Sequence, residues 1–238
     1  MIINSLFSAL SGLRTSASKL QTSANNLANL QTPGFKKSSA QLSDVASGGA
    51  QVSAISRSSS PGSLIPTSNP LDLAINGEGF FQVSLKGGGT GFTRAGNFKV
   101  DNQGQLTTPS GDALFPPVTI PAGATGVSID PGGQVSAIVG GTSVAVGQIE
   151  LASFNNPGGL SAKGGNVFTT SASSGSSVTG VPGSGSFGTV QNGALESSNV
   201  DIAQEIVGQI VAKTSFKANL AVIRTSKDLI GTLLDIKS

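Results

Sequence analysis

The 238-residue chain contains no cysteine, no histidine, no tryptophan and no tyrosine. Without cysteine there is no disulfide framework and no thiol nucleophile. Without histidine or cysteine, nearly all zinc, copper and haem chemistry falls away, and every Ser-His-Asp arrangement with it. Charge is scarce too, at 11% of residues against a usual share of about 25%. Four Glu and eight Asp are the only acid–base candidates. The net charge of +2 comes from few groups, the basic residues are scattered, and Phe is the only aromatic. A nucleic-acid partner, which selects clustered cations and stacking rings, is therefore not expected. No run of about 18 apolar residues occurs, so no membrane insertion is expected. Met1-Ile2-Ile3-Asn4-Ser5-Leu6 lacks a basic stretch ahead of an apolar core, so no cleaved secretory signal is expected either.

Glycine, by contrast, is abundant. Its 33 residues are roughly double the common level of about 7%. Low charge with much Gly and Ser resembles disorder, but disordered chains are poor in Val, Ile, Leu and Phe. This chain is not, and its mean hydropathy is +0.13. The composition suits a β-rich protein that needs few charges because it works in an assembled state.

The clearest period lies in the first thirty residues. Ile3, Leu6, Leu10, Leu13, Ala17, Leu20, Ala24 and Leu27 are spaced alternately three and four apart. This heptad seam predicts a helix of roughly 40 Å, ended by Pro33-Gly34. The opposite face is Ser, Thr, Asn and Gln, with almost no charge. A solvated helix usually carries Glu–Lys pairs there, so this face suits a helix surrounded by other helices.

The last forty residues repeat the theme. Ser198-Asn199-Val200-Asp201 offers capping chemistry, with Asp201 and Glu205 expected in the first turn. Ile206, Ile210, Leu220, Ile223, Ile230 and Leu234 form a second seam, with Lys213, Lys217 and Lys227 also at seam positions. A neighbouring stripe of Val207, Val211, Thr214, Ala218, Val222, Thr225 and Leu229 implies burial against more than one partner.

Between the ends the period changes to two. Strands are predicted over 71–75, 80–85, 98–100, 118–120, 127–129, 135–139 and 148–154. Asn76-Gly77, Gly87-Gly88-Gly89, Asn102-Gln103-Gly104 and Asp130-Pro131-Gly132-Gly133 supply turns. No helical period interrupts them, which favours an antiparallel domain over βαβ units. The expected fold class is α+β: terminal helices paired as a coiled coil, with one mainly antiparallel β domain between them. The expected organisation is an N-terminal helical half at 1–37, an extended Ser/Gly-rich connector at 38–70, the β domain at 71–190 and a C-terminal helical half at 191–238. A second connector-like stretch spans 171–188. A long helix with Ala in its seam is marginal alone. The two ends are expected to pack on each other and on sister copies, as a homo-oligomer.

Particular residues then carry a resemblance. The run Ala24-Asn25-Asn26-Leu27-Ala28-Asn29-Leu30-Gln31-Thr32-Pro33-Gly34-Phe35-Lys36 resembles the N-terminal signature of bacterial flagellar rod and hook proteins, with Asn25, Asn26, Asn29, Thr32, Gly34 and Phe35 as its motif positions. Asn76-Gly77-Glu78-Gly79-Phe80-Phe81-Gln82-Val83, Thr93-Arg94-Ala95-Gly96-Asn97-Phe98, Gly193-Ala194-Leu195-Glu196-Ser197-Ser198-Asn199-Val200-Asp201 and Phe216-Lys217-Ala218-Asn219, with Ile223 and the 229–236 tail after it, follow in the family's order. The resemblance implies an axial subunit of the flagellum, most like a distal rod protein. It implies export through the flagellar type III apparatus to the periplasmic or extracellular part of the axis. It further implies helical stacking into a torque-transmitting tube with a central channel. The implied partners are further copies, adjacent rod and hook proteins, and the surrounding envelope rings. No catalytic residue, cofactor or metal is implied. A short hook-type subunit is the alternative within the family, supported by Phe187-Gly188-Thr189-Val190-Gln191-Asn192-Gly193-Ala194-Leu195-Glu196 and Gly158-Gly159-Leu160. Outside it stand a secreted β-rich adhesin with dispensable termini and a glycan hydrolase built on a carboxylate pair.

The remaining motifs have plain readings. Gly87-Gly88-Gly89-Thr90-Gly91 lacks the Lys-Ser/Thr of a phosphate loop and is expected to be a hairpin turn. Glu78 has no second acid or base near it in sequence and suits a turn or an intersubunit ion pair. Asp101-Asn102-Gln103-Gly104 lacks the later ligands of a calcium loop. Phe35 is expected to plug the junction of helix and β domain. Of Phe80 and Phe81, which face opposite sides of a strand, one is expected in the core and the other against returning chain or a neighbour. Asn25, Asn26 and Asn29 either cap the helix end or form a contact network. Arg14, Lys19, Lys36 and Lys37 precede the first acid, Asp44. They either aid recognition by export machinery or complement acids elsewhere in the chain.

Overall fold

A computed structural model describes the backbone of residues 2–46 and 48–235 and the side chains of residues 4–46 and 48–232. The seam positions Ile3 and Leu234, and the end of the tail at Ile236, lie outside these described side chains. The chain forms two compact units. One comprises residues 2–30, 37–58 and 200–235; the other comprises 31–36 and 59–199.

In the first unit the periodic termini are helices, α1 (Ile2–Ala28) and α2 (Ile202–Asp235), packed against each other. Asp201 caps α2: its Oδ1 accepts the Ala203 and Gln204 N–H groups at 2.8 and 3.2 Å. It thus stands just outside the first turn, whose acid is Glu205. α1 ends at Ala28, five residues ahead of Pro33, where the Asn29 N–H reaches the Asn25 and Asn26 carbonyls and the Asn29 Nδ2 also donates to Asn25 O. Within the stretch expected as a connector, residues 38–57 form an antiparallel hairpin of β1 (Ser38–Asp44) and β2 (Ala50–Arg57). It lies along α1, where Ser11 Oγ accepts the Ala50 N–H at 3.1 Å. Its strands carry few apolar residues, so period two is faint in the sequence.

The second unit is almost all strand. β3 (Leu64–Pro66) pairs with β18 (Ala194–Glu196), and β4 (Leu73–Asn76) with β17 (Thr189–Asn192). Its largest sheet runs β14 (Ser161–Gly164), β15 (Val167–Thr169), β6 (Thr90–Thr93), β5 (Phe80–Ser84), β9 (Ala113–Phe115), β8 (Leu106–Thr107) and β7 (Lys99–Val100). In the same sheet β13 (Leu151–Ser153) bonds both β5 and β16 (Val178–Gly180), which falls inside the expected 171–188 connector. A three-stranded sheet joins β10 (Gly126–Ile129), β11 (Gln134–Val139) and β12 (Thr142–Gln148). These ladders are antiparallel, and the Gly87-Gly88-Gly89 run turns β5 into β6 as expected.

Two strand expectations fail in detail. Residues 118–120 form no strand but one bridge, Gln105 to Thr119, although Val118 is buried in the core. The expected strand 148–154 is broken between β12 and β13, where the Ile149 N–H turns to the Gly133 carbonyl. The core has two clusters. Leu73, Ile75, Phe81, Val83, Leu114 and Leu151 belong to the larger, with Phe81 edge-on to Phe98 at 5.2 Å. Phe80 joins Phe92, Phe154 and Phe168 in the second, its ring 5.8 Å from that of Phe154. Both Phe80 and Phe81 are therefore internal.

Candidate assembly site

The helices of the first unit meet through small and polar side chains. Ala9, Ser16, Ser23 and Asn26 of α1 are buried; on α2 Glu205, Ala212 and Ser226 are buried, with Gln209, Phe216, Asn219 and Ile223 half-buried between them. The α2 stripe follows three-four spacing, and Ala9, Ser16 and Ser23 of α1 recur every seven residues. At Gly12 the approach is close: a Cβ there would lie 2.5 Å from the Asn219 Nδ2. A shallow groove beside the contact is lined by Gly12, Ser16, Lys19, Gly208, Ala212 and Asn219.

The leucine seam lies beside this stripe. Leu6, Leu13, Leu20 and Leu27 are half-buried, whereas Leu10, Ala17 and Ala24 are exposed. Phe7, off the seam, is 63% exposed. On α2, Ile206, Ile210 and Ile230 are exposed, Leu220 is half-buried, and among the described seam residues Ile223 alone lies on the stripe buried against α1. The neighbouring stripe from Val207 to Leu229 is exposed throughout, and so are Lys213, Lys217 and Lys227.

One polar knot fixes the helix pair. Asn26 is buried; its Nδ2 donates to Ser38 O at 2.8 Å and to Glu205 Oε1 at 3.2 Å, while its Oδ1 accepts the Ser38 N–H. Ser23 Oγ donates to Glu205 O, and Lys37 Nζ stands 3.0 Å from Glu205 Oε1. Burial pushes the Glu205 carboxyl up, but hydrogen bonds from Ser23, Lys37 and Asn26 and the Lys37 charge outweigh it, leaving the group below its ordinary value of 4.5. A carboxyl depressed in the fold stabilises fully above its unfolded pKa and progressively less as pH falls through the folded value. Helical circular dichroism on melting at about pH 6 and about pH 3 should thus show a smaller acid-induced drop in Glu205→Gln than in the native chain, with the variant less stable at the higher pH. Asn29 caps the helix end by donating to the Asn25 carbonyl, and Asn26 ties strand to helices.

The second unit contains a buried ion cluster that no single motif announces. Glu196 is inaccessible and receives Lys36 Nζ on Oε1 and Arg94 Nη1 on Oε2, the latter at 3.3 Å. The Gly62 N–H also donates to Oε1 at 2.8 Å, and Lys36 donates to Ser60 O at 2.9 Å. Arg94 continues to Gly77 O at 2.8 Å and lies over the Phe80 ring at 5.3 Å. Burial lowers the pKa of Lys36 and of Arg94, opposed in each by Glu196. The Glu196 carbonyl accepts the Gly34 N–H at 2.7 Å. Gly34 has φ +66°, and a Cβ on it would meet the Arg94 carbonyl carbon at 2.4 Å, so only glycine fits. Thr32 O accepts the Phe35 N–H in the same turn, and the Phe35 side chain is half-buried. Four of the family-like motifs therefore meet here: Gly34 and Lys36, Gly77 and Phe80, Arg94, and Glu196. Lys36 and Lys37 complement acids of their own chain.

Glu78 forms a bridge with Phe187 and its carbonyl accepts the Gly188 N–H. Asp101 Oδ1 accepts the Gln103 and Gln105 N–H groups in a turn. Among the described residues no group of three or more acids could hold a metal, and no helix is long and apolar enough to cross a membrane.

Comparison with known proteins agrees with this arrangement. Residues 6–36 match the model of the flagella basal body rod protein, residues 74–137 that of the flagellar hook protein FlgE/F/G D1 domain, and residues 191–236 that of the flagellar basal body rod FlgEFG protein C-terminal region. The flagellar basal-body rod protein FlgG of Bacillus subtilis is 35% identical over 99% of this chain and 100% of its own. FlgG of Caulobacter vibrioides is 33% identical over 99% and 100%. The chain belongs to the flagellar basal-body rod protein family. Its likeness to the flagellar hook protein FlgE of Escherichia coli is local, 44% identity over 39% of this chain and 23% of that one. The end-to-end match to distal rod proteins therefore outweighs the hook alternative. This rod protein is a structural subunit of the flagellar axis, not an enzyme, and family membership implies a polymer with neighbouring rod and hook proteins. Each of the three matched regions contributes one charge to the buried cluster: Lys36, Arg94 and Glu196.

Proposed function

We propose that this rod subunit polymerises helically through its terminal helices into a tube that transmits torque and encloses an export channel. The helical halves, 1–37 and 191–238, form the inner wall as a coiled coil through the small-residue stripe. In the assembled tube the 71–190 body faces outward. Export precedes assembly and uses the flagellar type III route, and the envelope rings surround the finished tube. The observation that carries this reading is the outer side of α2, where Ile206, Val207, Ile210, Val211, Val222 and Leu229 are all exposed. An apolar face of that length on a helix already packed elsewhere needs a second partner.

Polymerisation of the purified chain, followed by electron microscopy, tests it. Native subunits should form tubes. A variant lacking residues 2–28 should form none while its strand circular dichroism persists. Tubes from that variant would place assembly outside the helices.

A further inference from the structure

α2 has a second exposed face of different chemistry. Lys213, Lys217, Arg224 and Lys227 are all exposed and follow the heptad stripe begun by Ile206 and Ile210, which after Ile210 is mainly cationic, with half-buried Leu220 between Lys217 and Arg224 and exposed Asp228 one turn beyond Arg224. Among the described residues none of the four is in an ion pair within the subunit. Counter-charge is short throughout this unit. α1 adds Arg14 and Lys19 and no acid. Glu205 already binds Lys37, and Asp201 is turned onto the Ala203 and Gln204 N–H groups. Asp44, Asp228 and Asp235 are the acids left to the unit. A wall of sister helices would offer this face its own excess of cations, and unpaired charge is not buried without heavy cost. The face must therefore border water.

Resting on the tube reading above, we propose that the Lys213–Lys217–Arg224–Lys227 face lines the water-filled bore and transiently holds acidic segments of unfolded polypeptides passing through it. Stacked subunits repeat the charge along the bore, and low-dielectric walls focus such a field. At physiological salt it reaches about 8 Å, enough to act on a chain confined in a narrow passage.

The native chain has no cysteine, so single thiols report cleanly. Val211→Cys, Lys217→Cys and Lys163→Cys would be labelled with a small maleimide and with a protein-sized maleimide conjugate, as monomer and as polymer. On assembly Val211→Cys should lose about tenfold or more in small-reagent rate while Lys217→Cys stays within about twofold, tenfold corresponding to about 1.4 kcal/mol of protection. In the polymer Lys217→Cys should refuse the large conjugate that still labels Lys163→Cys on the β body. Protection of Lys217→Cys equal to that of Val211→Cys would bury the face between copies and overturn the proposal with polymerisation intact. Large-conjugate labelling at Lys217→Cys would place it outside the bore and overturn the proposal as well. An unprotected Val211→Cys would overturn the tube reading and this proposal together. For the cargo half, rods carrying K213Q, K217Q, R224Q and K227Q should pass less of an acidic reporter relative to a neutral one; an unchanged ratio overturns it.

Discussion

Glu196→Ala should cost the β unit about 3–5 kcal/mol, because it strands two buried cations rather than deleting one contact. Lys36 and Arg94 are each about 5% exposed in their side chains, and Glu196 is their shared anion. Arg94 already carries a buried Nε with no partner among the described residues. Removing the carboxylate also frees the Gly62 N–H. Urea unfolding at neutral pH, followed through the strand signal, measures the loss. Glu196→Gln should fall between, since the amide oxygen still accepts from Gly62 but supplies no charge. Replacing all three charges by apolar residues of similar size should recover most of the stability, as a buried ion network is weakly stabilising against a hydrophobic equivalent. A loss under about 1 kcal/mol for Glu196→Ala would mean that water screens the cluster as at a surface.

That cluster is invisible along the sequence for a definite reason. Lys36 and Glu196 are 160 residues apart and Arg94 and Glu196 are 102 apart, and no local period links such positions. Only their place in the family-like motifs and the rarity of glutamate in the chain hint at them. The helices, by contrast, are legible because leucine and isoleucine repeat at heptad spacing. The hairpin turns are legible because Gly, Asn and Asp mark them. The helix–helix contact is not, because Ala9, Gly12, Ser16, Ser23, Ala212 and Asn219 give no hydrophobic signal. A search for apolar period finds the more exposed face of the helices and passes over the face packed within the subunit. The β1–β2 hairpin escapes for the same reason, its Ser-rich strands offering little apolar alternation.

Neighbouring residues on α2 separate those two faces experimentally. Ile210 and Val211 are each 59% exposed, whereas Ala212 is 3% exposed. An aspartate at 210 or 211 enters water in the monomer, so Ile210→Asp and Val211→Asp should leave the melting of the isolated subunit within about 0.5 kcal/mol of native, apart from a small helix-propensity term. In a polymer the same carboxylate would be driven into an apolar contact, and a charge buried unpaired shifts the equilibrium against assembly by several kcal/mol. Sedimentation should find these variants entirely monomeric at concentrations where native subunits form tubes. Ala212→Asp should fail differently. It places a charge on the stripe facing α1, at a position 3% exposed, beside Gly12 and Ser16. The helix pair should then open before any polymer is attempted, seen as loss of helical signal in the monomer at concentrations too low for association. If Ile210→Asp and Ala212→Asp behaved alike, both losing helix in the monomer, the outer face of α2 would be part of the subunit's own fold and its assembly role would go. If Ile210→Asp formed normal tubes, the apolar face would be exposed in the rod as well, and another surface would have to hold the axis together.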